Sequence, residues 1–424
     1  MRFSWGTDSM ASVKMVLITP IFPPGGGGAA VVHYQLCKQL EREACALVPT
    51  AVDGDEARRF GSKQPFSIVR LPFLARKPTR GGPRWLRAAW NIIGKRLLPR
   101  IPLAVILMHQ LRRLRPEVVC IAGLDSLYWI IPLVRWTTRA KVVFYIHGEE
   151  VSAGASLGAI SQRLYNRSIS AMHTADAVVT VSKWTARQIL ELGIAPDKVK
   201  VIYNGVDHQR FYPGPADETI QARHRLEGKR MILTVARLDP RKGHETVLRA
   251  IPAILKKIPN LIYLIVGDGP HRTALDRVVS SLGIGDHVVF AGGMNDREIP
   301  AYYRTCELFV QPNRRMPDGD DEGFGLVFLE AGACRRPVVG GRSGGVPEAV
   351  VDGQTGILVN GNSVEETAEA IIRLLSDPEL SSRMANNGWS RSRCFDWRET
   401  AVRFRSLCWP RMAGLTVDDP VRVC

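Results

Sequence analysis

Two glutamates, Glu322 and Glu330, frame a Gly-Phe-Gly turn and an apolar run. On one continuous helix their carboxylates would lie about 12 Å apart along the axis, too far to hold a single small group. The glycines favour an arrangement in which Glu322 lies in a loop, the helix starts near Gly325, and Glu330 sits two turns in. Free backbone N–H groups between the acids could then bind an anion on the helix dipole. This layout suits a nucleotide-sugar, and the alternative is a capped amphipathic helix with solvated acids.

A glycine run follows the first predicted strand. Residues 13–19 have a buried-strand pattern, and Gly25 to Gly28 come directly after them. The next segment places Val32, Leu36 and Leu40 on one face of a helix. A strand, a glycine loop and a helix N-terminus often bind phosphate or a closely approaching substrate. The four glycines do not fit a Gly-x-Gly-x-x-Gly spacing, so alone this loop is a weak signal.

A histidine marks the end of another predicted strand. Residues 141–146 are mostly apolar and run into His147-Gly148-Glu149-Glu150. Because open α/β sheets place their ligands at the carboxyl ends of the strands, His147 is predicted to contact a sugar hydroxyl or a developing charge. A purely structural histidine is the alternative.

Composition bounds the class of protein. A chain of 424 residues exceeds what one hydrophobic core usually supports, so two domains of roughly 200 residues are expected. The eight cysteines are scattered and form no Cys-x-x-Cys pair, which favours reduced thiols in a cytoplasmic protein. No apolar run reaches the roughly 18 residues that span a bilayer, and residues 15–21 are too short for a signal peptide. Any membrane contact is therefore expected to be peripheral.

The net charge of +16 is concentrated in one segment. Residues 57–116 contain fifteen Arg and Lys and no Asp or Glu. Within this stretch, residues 84–98 predict an amphipathic helix that suits an anionic membrane interface. The alternatives are a helix packed on its own domain with its basic side in water, and nucleic-acid binding, which no accompanying motif supports. The predicted membrane contacts are Arg84, Arg87, Trp90 and Lys95.

Strands alternate with helices in both halves of the chain. This alternation predicts an α/β fold with two doubly wound parallel sheets. Pro213-Gly214-Pro215 marks a linker between the halves. The predicted strands are 13–19, 45–52, 116–121, 141–146, 177–180 and 199–203 in the first half, and 231–236, 261–266, 287–291, 308–311, 337–340 and 356–359 in the second.

Several separated segments together resemble one family. They are Gly25 to Gly28, His147 to Glu149, Asn204 to Asp207, Arg237 with Lys242-Gly243, Gly267 to Pro270, Glu322 to Glu330, and Gly344 to Glu348. Over roughly residues 13–400, this combination resembles the retaining glycosyltransferases of the large family GT4, which have the GT-B fold of two Rossmann-like domains facing each other across a cleft. Among them the chain is most similar to the bacterial phosphatidylinositol mannosyltransferases, through residues 145–148 and 314–330.

The resemblance implies a role for each residue. Arg237 and Lys242 would hold the donor diphosphate, Glu330 would accept bonds from the ribose hydroxyls, and Glu322 would touch the transferred sugar. His147 would face the donor sugar from the first domain. With Glu322, Arg237 and Lys242 it forms the implied catalytic set. The further implied donor contacts are Gly27, Gly28, Gly323, Phe324, Gly325 and Leu326, with Phe290, Gly292 and Met294 around the base.

The resemblance also implies a domain organisation. Residues 1–212 would bind the acceptor, residues 213–395 would bind the nucleotide-sugar, and residues 396–424 would form a helix at 399–407 that crosses back to the first domain, followed by a tail. Because the donor contacts and His147 lie on different domains, catalysis is expected to need closure of the cleft.

Neither a cofactor nor a catalytic metal is expected. The acidic run Asp318-Gly319-Asp320-Asp321 is similar to the metal-binding Asp-x-Asp of the other glycosyltransferase fold. We predict a solvated loop instead, because cationic side chains and a helix terminus already meet the charge of the diphosphate.

Together these inferences predict a retaining, metal-independent glycosyltransferase. It would move a hexose from GDP-mannose or a UDP-sugar to a hydroxyl of a lipid-linked or glycan acceptor, in the cytoplasm or at the inner face of the plasma membrane. One alternative is a soluble enzyme of polysaccharide or small-glycoside synthesis. Another is a basic membrane- or nucleic-acid-binding protein with a vestigial sugar-nucleotide site, which the intact set of predicted site residues disfavours.

Overall fold

The computed structural model of the protein describes residues 13–24, 27–50, 54–72, 100–123, 127–148, 150, 159–293 and 296–410. The predicted basic helix at 84–98, with Arg84, Arg87, Trp90 and Lys95, lies outside these residues, as does the predicted base contact Met294. Within the described ranges, no helix is long and apolar enough to cross a bilayer.

The first half of the chain forms a seven-stranded parallel sheet in the order β3-β2-β1-β4-β5-β6-β7. Its strands are β1 (Met15–Ile18), β2 (Ala44–Thr50), β3 (Ser67–Pro72), β4 (Val118–Ala122), β5 (Lys141–Ile146), β6 (Ala177–Thr180) and β7 (Val199–Val201). The order reverses between β1 and β4, where Met15 pairs with Val118. Its helices are α1 (Gly27–Leu40), α2 (Asp55–Gly61), α3 (Arg100–Leu114), α4 (Ile131–Thr137), α5 (Ala159–His173) and α6 (Lys183–Glu191).

The second half forms a six-stranded parallel sheet in the order β10-β9-β8-β11-β12-β13. Its strands are β8 (Arg230–Val235), β9 (Leu261–Val266), β10 (Val288–Gly292), β11 (Leu308–Gln311), β12 (Val338–Gly341) and β13 (Ile357–Val359). Here the order reverses between β8 and β11, where Ile232 pairs with Leu308. Its helices are α7 (Glu218–His224), α8 (His244–Leu255), α9 (Arg272–Leu282), α10 (Ile299–Thr305), α11 (Leu326–Ala333), α12 (Val346–Ala349), α13 (Val364–Ser376) and α14 (Pro378–Ser392).

The predicted fold class is confirmed, since both sheets are parallel and doubly wound. Every predicted strand is present, with bounds that shift by at most two residues. Strands such as β4 and β9 are buried along their whole length, as is usual when helices cover both faces of a sheet. The sequence prediction lacks β3 and α3. Both lie in the acid-free stretch, where basic residues such as Arg70 interrupt the apolar pattern.

The chain passes between the two sheets at two neighbouring places. Val206 forms an isolated bridge with Asp396 and donates its N–H to the carbonyl of Phe395 at 3.0 Å. Only glycine fits at position 205, because a Cβ there would lie 2.4 Å from the backbone nitrogen of Trp397. The segment that leaves the first sheet and the segment that returns to it therefore contact each other.

The last helix, α15 (Trp397–Cys408), packs on the first sheet's layer. It begins two residues before and ends one residue after the predicted range 399–407. Phe404 is fully buried and its ring stacks on Tyr145 with the centroids 6.3 Å apart. Lys141 Nζ donates to the carbonyl of Cys408 at 3.1 Å, which fixes the end of the helix.

Seven of the eight cysteines lie in the described part of the chain, and one of these seven departs from the prediction. Cys394 is disulfide-bonded, so the expectation of reduced thiols throughout is wrong there. It follows the end of α14 and is half-buried, so burial does not shield its thiol from pairing. The buried free thiols are Cys37, Cys45, Cys120, Cys306, Cys334 and Cys408.

A carboxylate also joins the two halves. Glu348, in α12 of the second half, accepts hydrogen bonds from the backbone N–H groups of Lys183 and Trp184, each at 2.8 Å. It also accepts one from the Tyr203 hydroxyl at 2.8 Å. The two amides lie in the first turn of α6, where N–H groups lack an intrahelical acceptor and the helix dipole is positive. Glu348 therefore supplements the N-cap Ser182, whose Oγ accepts from Thr185.

We expect Glu348→Ala to lower the free energy of unfolding by about 1–3 kcal/mol, because hydrogen bonds to a charged group are lost across the two halves. Thermal and urea unfolding would measure it. Glu227→Ala is the matched control, since Glu227 is an exposed glutamate before β8 and its removal should change stability by less than about 0.5 kcal/mol. Equal stability of the two variants would contradict the bridging role of Glu348.

Candidate active site

The predicted donor residues gather at the carboxyl edge of the second sheet. Arg237 follows β8, and Lys242 ends the short 3-10 turn Pro240–Lys242. Asn313 and Glu322 follow β11, on the other side of the point where the strand order reverses. In an open parallel sheet, the crevice at this switch point is the usual place for a ligand.

One carboxylate oxygen of Glu322 collects three donors. Oε2 accepts from Lys242 Nζ at 2.5 Å, from Arg241 Nη1 at 3.2 Å and from Asn313 Nδ2 at 2.7 Å. Among the described residues, no group is bonded to Oε1. The network therefore fixes one oxygen and leaves the other available to accept from a ligand hydroxyl.

The charge of Glu322 is set by this network. Burial alone would raise the pKa of Glu322, but Lys242 and Arg241 outweigh it and hold the pKa below its usual value. The group is therefore ionised at neutral pH and acts only as an acceptor. It is suited to a sugar hydroxyl rather than to protonating a leaving group.

Arg241 supports Glu322 from the protein interior. Its side chain is 6 % exposed, and its Nη1 also donates to the carbonyl of Asp321 at 3.1 Å. Its Nε lies 3.1 Å from Asp320 Oδ2. A buried guanidinium with carboxylate and carbonyl partners holds a rigid orientation, so Arg241 fixes the loop that presents Glu322.

The two predicted diphosphate contacts differ in their surroundings. The Arg237 side chain is 70 % exposed, with its guanidinium 4.0 Å from Asp239. Lys242 is mostly buried and is already paired with Glu322. The exposed guanidinium can reorient toward a phosphate, whereas Lys242 would share its charge between a ligand and Glu322.

A helix N-terminus lies between the two acids, as the glycines predict. Gly325 is the N-cap of α11 with a φ of +95°, a conformation that favours glycine. Glu330 is the fifth residue of α11, little more than one turn in rather than two. The first-turn N–H groups of Leu326 and Val327 lack intrahelical acceptors, so they can donate to an anion. Phe324 is buried, which leaves only its main chain for ligand contact.

Glu330 has an unusual protonation equilibrium. Its Oε2 accepts a hydrogen bond from the Tyr303 hydroxyl at 3.0 Å. Burial raises the pKa of Glu330 to about 7, although the bond from Tyr303 opposes the shift. Near neutral pH the carboxyl is therefore only partly ionised. Ligand hydroxyls that donate to it would favour the ionised form.

The predicted base region lies at the carboxyl end of β10 and beside the turn that follows β9. The guanidinium of Arg272 lies 4.0 Å from the ring centroid of Phe290, so the ring is covered by a cation on one face. The N–H of Gly293 donates to Asp268 Oδ2 at 2.7 Å, and Gly292 has a φ of +76°. A nucleotide base bound at this turn would therefore contact mainly main-chain groups and few side chains.

Residues of the first half reach this site. A Cβ on Gly323 would lie 1.8 Å from the carbonyl oxygen of His147, so the two loops are in contact and no side chain fits at 323. A Cβ on Gly148 would lie 3.1 Å from Gly323 Cα, and one on Gly28 would lie 3.9 Å from Leu326 Cδ1. Gly27, which precedes Gly28, begins α1.

His147 is held by a second histidine. Its Nε2 lies 2.8 Å from Nε2 of His33, and its ring stacks on Tyr145. Burial, and then the neighbouring His33 ring, hold the pKa of His147 well below its usual value. Burial likewise lowers the pKa of His33 to about 4. Both rings are neutral at physiological pH, so His147 does not offer a positive charge to a ligand.

The acidic run is not the solvated loop that we predict from the sequence. Asp318 is exposed, but Asp321 is only 2 % exposed. Its carboxylate accepts from the Ser343 hydroxyl and from the N–H of Glu322 at 2.8 Å. Asp320 pairs with Arg241. The prediction is wrong for these two residues because they are structural partners of the Glu322 loop.

Sequence reasoning misses four residues of this site. Asn313 directly follows a parallel strand, so the rule for strand ends could have identified it. Arg241 reads as one more surface charge beside Lys242, and nothing in the sequence shows its burial. His33 and Tyr303 read as helix residues, because their partners are distant in the chain.

Comparison with known proteins defines the class. Residues 26–210 match the model of "Glycosyltransferase Family 4", and residues 216–391 match that of "Glycosyl transferases group 1". The chain belongs to this family of glycosyltransferases, and its activity is transfer of a sugar from a nucleotide-sugar.

Two relatives of this chain are mannosyltransferases that act on phosphatidylinositol mannosides. A GDP-mannose-dependent alpha-(1-6)-phosphatidylinositol monomannoside mannosyltransferase of Mycolicibacterium smegmatis is 31 % identical over 93 % of this chain and 97 % of its own length. A GDP-mannose-dependent monoacylated alpha-(1-6)-phosphatidylinositol monomannoside mannosyltransferase of Corynebacterium glutamicum is 26 % identical over 89 % of this chain and 93 % of its own length. The expected similarity to phosphatidylinositol mannosyltransferases is confirmed.

Solved structures support the fold. HepE of Anabaena in complex with UDP and glucose superposes with a TM-score of 0.75 at 19 % identity, covering 93 % of this chain and 98 % of that one. Sucrose-phosphate synthase of Thermosynechococcus elongatus gives 0.73 at 21 % identity, covering 95 % and 99 %. The predicted GT-B fold is confirmed.

We expect Glu330→Gln to change the pH dependence of stability. The folded-state pKa of about 7 lies above the unfolded value of 4.5, so wild-type stability falls as pH rises between these values. The variant lacks this ionisation, so its melting temperature relative to wild type should rise from pH 5 to pH 8. Exposed Glu369→Gln is the control and should show no such trend. A flat difference for Glu330→Gln would contradict the raised pKa.

Proposed function

We propose that this glycosyltransferase moves mannose from GDP-mannose, with retention of configuration, to a hydroxyl of a phosphatidylinositol-type lipid glycan. The names of the two mannosyltransferase relatives support donor and acceptor. The geometry supports a nucleotide-diphosphate sugar. Two acids lie on either side of the N-terminus of α11, and exposed Arg237 and paired Lys242 lie nearby in sequence after β8.

The proposal rests above all on the carboxylate of Glu322. One oxygen is fixed by three donors and the other is available, which suits a contact that orients a sugar hydroxyl. Glu330 would accept from the ribose hydroxyls of the same ligand. The N–H groups at the start of α11 would meet the diphosphate between them.

In the proposed reaction, the bond between the sugar C1 and the diphosphate oxygen breaks, and a bond from C1 to the acceptor oxygen forms on the same face. The proton of the acceptor hydroxyl passes to the departing diphosphate. Arg237, Lys242 and the α11 N-terminus would stabilise the negative charge that develops on the leaving group. These groups also support our proposal that transfer needs no divalent cation.

We expect Arg237→Ala to weaken GDP binding by about 10- to 150-fold, the effect of losing a charged hydrogen bond of roughly 1.5–3 kcal/mol. Calorimetry with GDP, UDP and ADP, each with and without EDTA, would measure affinity and name the base. Arg249→Ala is the control, because the ion pair of Arg249 is an exposed one with Glu245, one turn away on the same helix.

Preferential binding of GDP, unchanged by EDTA, is the expected result. A preference for UDP would overturn the proposed donor, and loss of binding in EDTA would overturn metal independence. Product analysis with phosphatidylinositol mannosides and with D-inositol 3-phosphate would decide the acceptor. The second compound is included because a Corynebacterium glutamicum relative, 32 % identical over 53 % of this chain, is named a D-inositol 3-phosphate glycosyltransferase.

We also propose that the first half docks on an anionic membrane surface. Ile101 and Val105 of α3 are 69 % and 56 % exposed, and Trp136 of α4 is 70 % exposed. Ile101, Val105 and Arg112 share one face of α3, and Arg112 lies 5.2 Å from the Trp136 ring. The opposite face of α3 is buried through Leu103, Leu107 and Leu111. An exposed stripe of apolar, aromatic and basic side chains supports interfacial binding.

We expect Trp136→Ser to weaken sedimentation with vesicles that contain phosphatidylglycerol by about fivefold or more, because buried apolar area and anionic attraction act together. Leu190→Ser, at another exposed apolar residue, should have little effect. Arg84, Arg87 and Lys95 changed to Glu form a separate arm for the predicted basic helix. Unchanged sedimentation in both arms would remove the membrane proposal.

A further inference from the structure

We propose that His33 is a positioning residue that fixes His147 in the neutral Nε2–H form, so that Nδ1 of His147 accepts a hydrogen bond from a hydroxyl of the transferred sugar. This inference rests on the proposed function for the identity of the ligand. The tautomer itself follows from contacts within the chain.

The first step concerns the proton on His33. This residue lies in α1 and is only 2 % exposed. Its Nδ1 lies 3.0 Å from the carbonyl oxygen of Ile21 and 3.1 Å from Thr19 Oγ1. A carbonyl oxygen can only accept, so Nδ1 of His33 must carry the proton. The Thr19 hydroxyl donates to the Ile21 carbonyl at 3.1 Å and accepts the Ile21 N–H at 3.2 Å, which leaves one lone pair to face the His33 N–H.

The second step concerns the proton on His147, which follows from the proton position on His33. In a neutral imidazole with a proton on Nδ1, Nε2 is an acceptor. Nε2 of His147 lies 2.8 Å from Nε2 of His33, a distance that needs one proton between the two nitrogens. His147 must therefore supply it. The chain of bonds runs from His147 through His33 to the main chain of Ile21.

The surroundings keep both rings neutral. Burial lowers the pKa of His33 to about 4, and burial with the adjacent ring lowers the pKa of His147. The titratable groups that face His147 are His33, the stacked Tyr145 ring, and Glu150, whose carboxylate accepts from the backbone N–H of His147 at 3.0 Å. That carboxylate is therefore turned to the main chain of His147.

The third step concerns the other nitrogen. Within the described part of the chain, no group is bonded to Nδ1 of His147. The residue directly follows β5, and its carbonyl oxygen contacts Gly323, the residue after Glu322 in the chain. A neutral ring with a free lone pair at this seam accepts from a hydroxyl without adding charge. Acceptors from both halves would then meet the sugar, Glu322 from one side and His147 from the other.

The first test reads the tautomer directly. Long-range proton–nitrogen NMR of the full chain, with labelled histidine, shows which ring nitrogen carries the proton. We expect His147 protonated on Nε2 and His33 on Nδ1, both unchanged from pH 5.5 to 8.5. A proton on Nδ1 of His147 would overturn the inference, and this result would leave the proposed donor and acceptor untouched.

The second test uses two substitutions. In His33→Gln the side-chain amide oxygen can still accept a hydrogen bond from His147 Nε2. In His33→Leu the side chain has no acceptor. We expect His33→Leu to lower kcat by about tenfold or more, because a misplaced contact acts on the reacting geometry. The KM for the nucleotide-sugar should change less than twofold, and His33→Gln should retain kcat within about threefold.

Controls separate this role from a structural one. Both variants should bind GDP as wild type does, since Arg237, Lys242 and Glu330, the proposed diphosphate and ribose contacts, lie on the second half. Equal loss of kcat in both variants, with a wild-type tautomer by NMR in each, would show that His33 acts only in packing and would overturn the proposal. If His33→Leu did not fold, the wild-type spectrum and His33→Gln would still decide the matter.

Discussion

The site depends on keeping an ionised carboxylate in a largely buried place. An isolated buried charge is strongly unfavourable, so Glu322 persists as an anion only because Lys242, Arg241 and Asn313 surround it. Two of these partners follow β8 and the third follows β11, so the carboxylate joins the two strands between which the sheet order reverses. The buried Asp321 and the paired Asp320 extend the same network, which makes the loop before α11 a fixed element.

The two halves meet through aromatic rings, such as Tyr203 on Phe324, and also at places where main chain lies directly against main chain. Gly323, Gly148 and Gly205 allow main chain to approach main chain at distances that leave no room for a Cβ at 323 or 205. Polar contacts at this seam include those of Glu348 with two N–H groups of α6 and with the Tyr203 hydroxyl. His147 can therefore lie beside the Glu322 loop while both remain attached to separate sheets. A ligand in the cleft meets main-chain donors and a few fixed acceptors.

The strands and the α11 start were predictable because they depend on local signals. Continuous apolar runs predict the buried parallel strands, and Gly325 predicts the start of α11. Glu322 and Glu330 stand out through their spacing around that start. Arg241 and His33 did not stand out, since their roles come from burial and from partners about 80 and 114 residues away. Asp321 and Cys394 were misjudged for the same reason, because composition does not show which polar residues the tertiary fold encloses.

The two chain crossings have a mechanical consequence. Residues 205–206 and 395–397 lie against each other, so both covalent connections between the sheets pass through nearly one point. Rotation of one sheet relative to the other must bend the backbone there, and displacement grows with distance from that point. Atoms far from the crossings would therefore undergo large displacements, while atoms beside the crossings would hardly move. The distance that each substrate-contacting residue moves is thus set by how far it lies from the crossing point. Its chemical type does not change that distance.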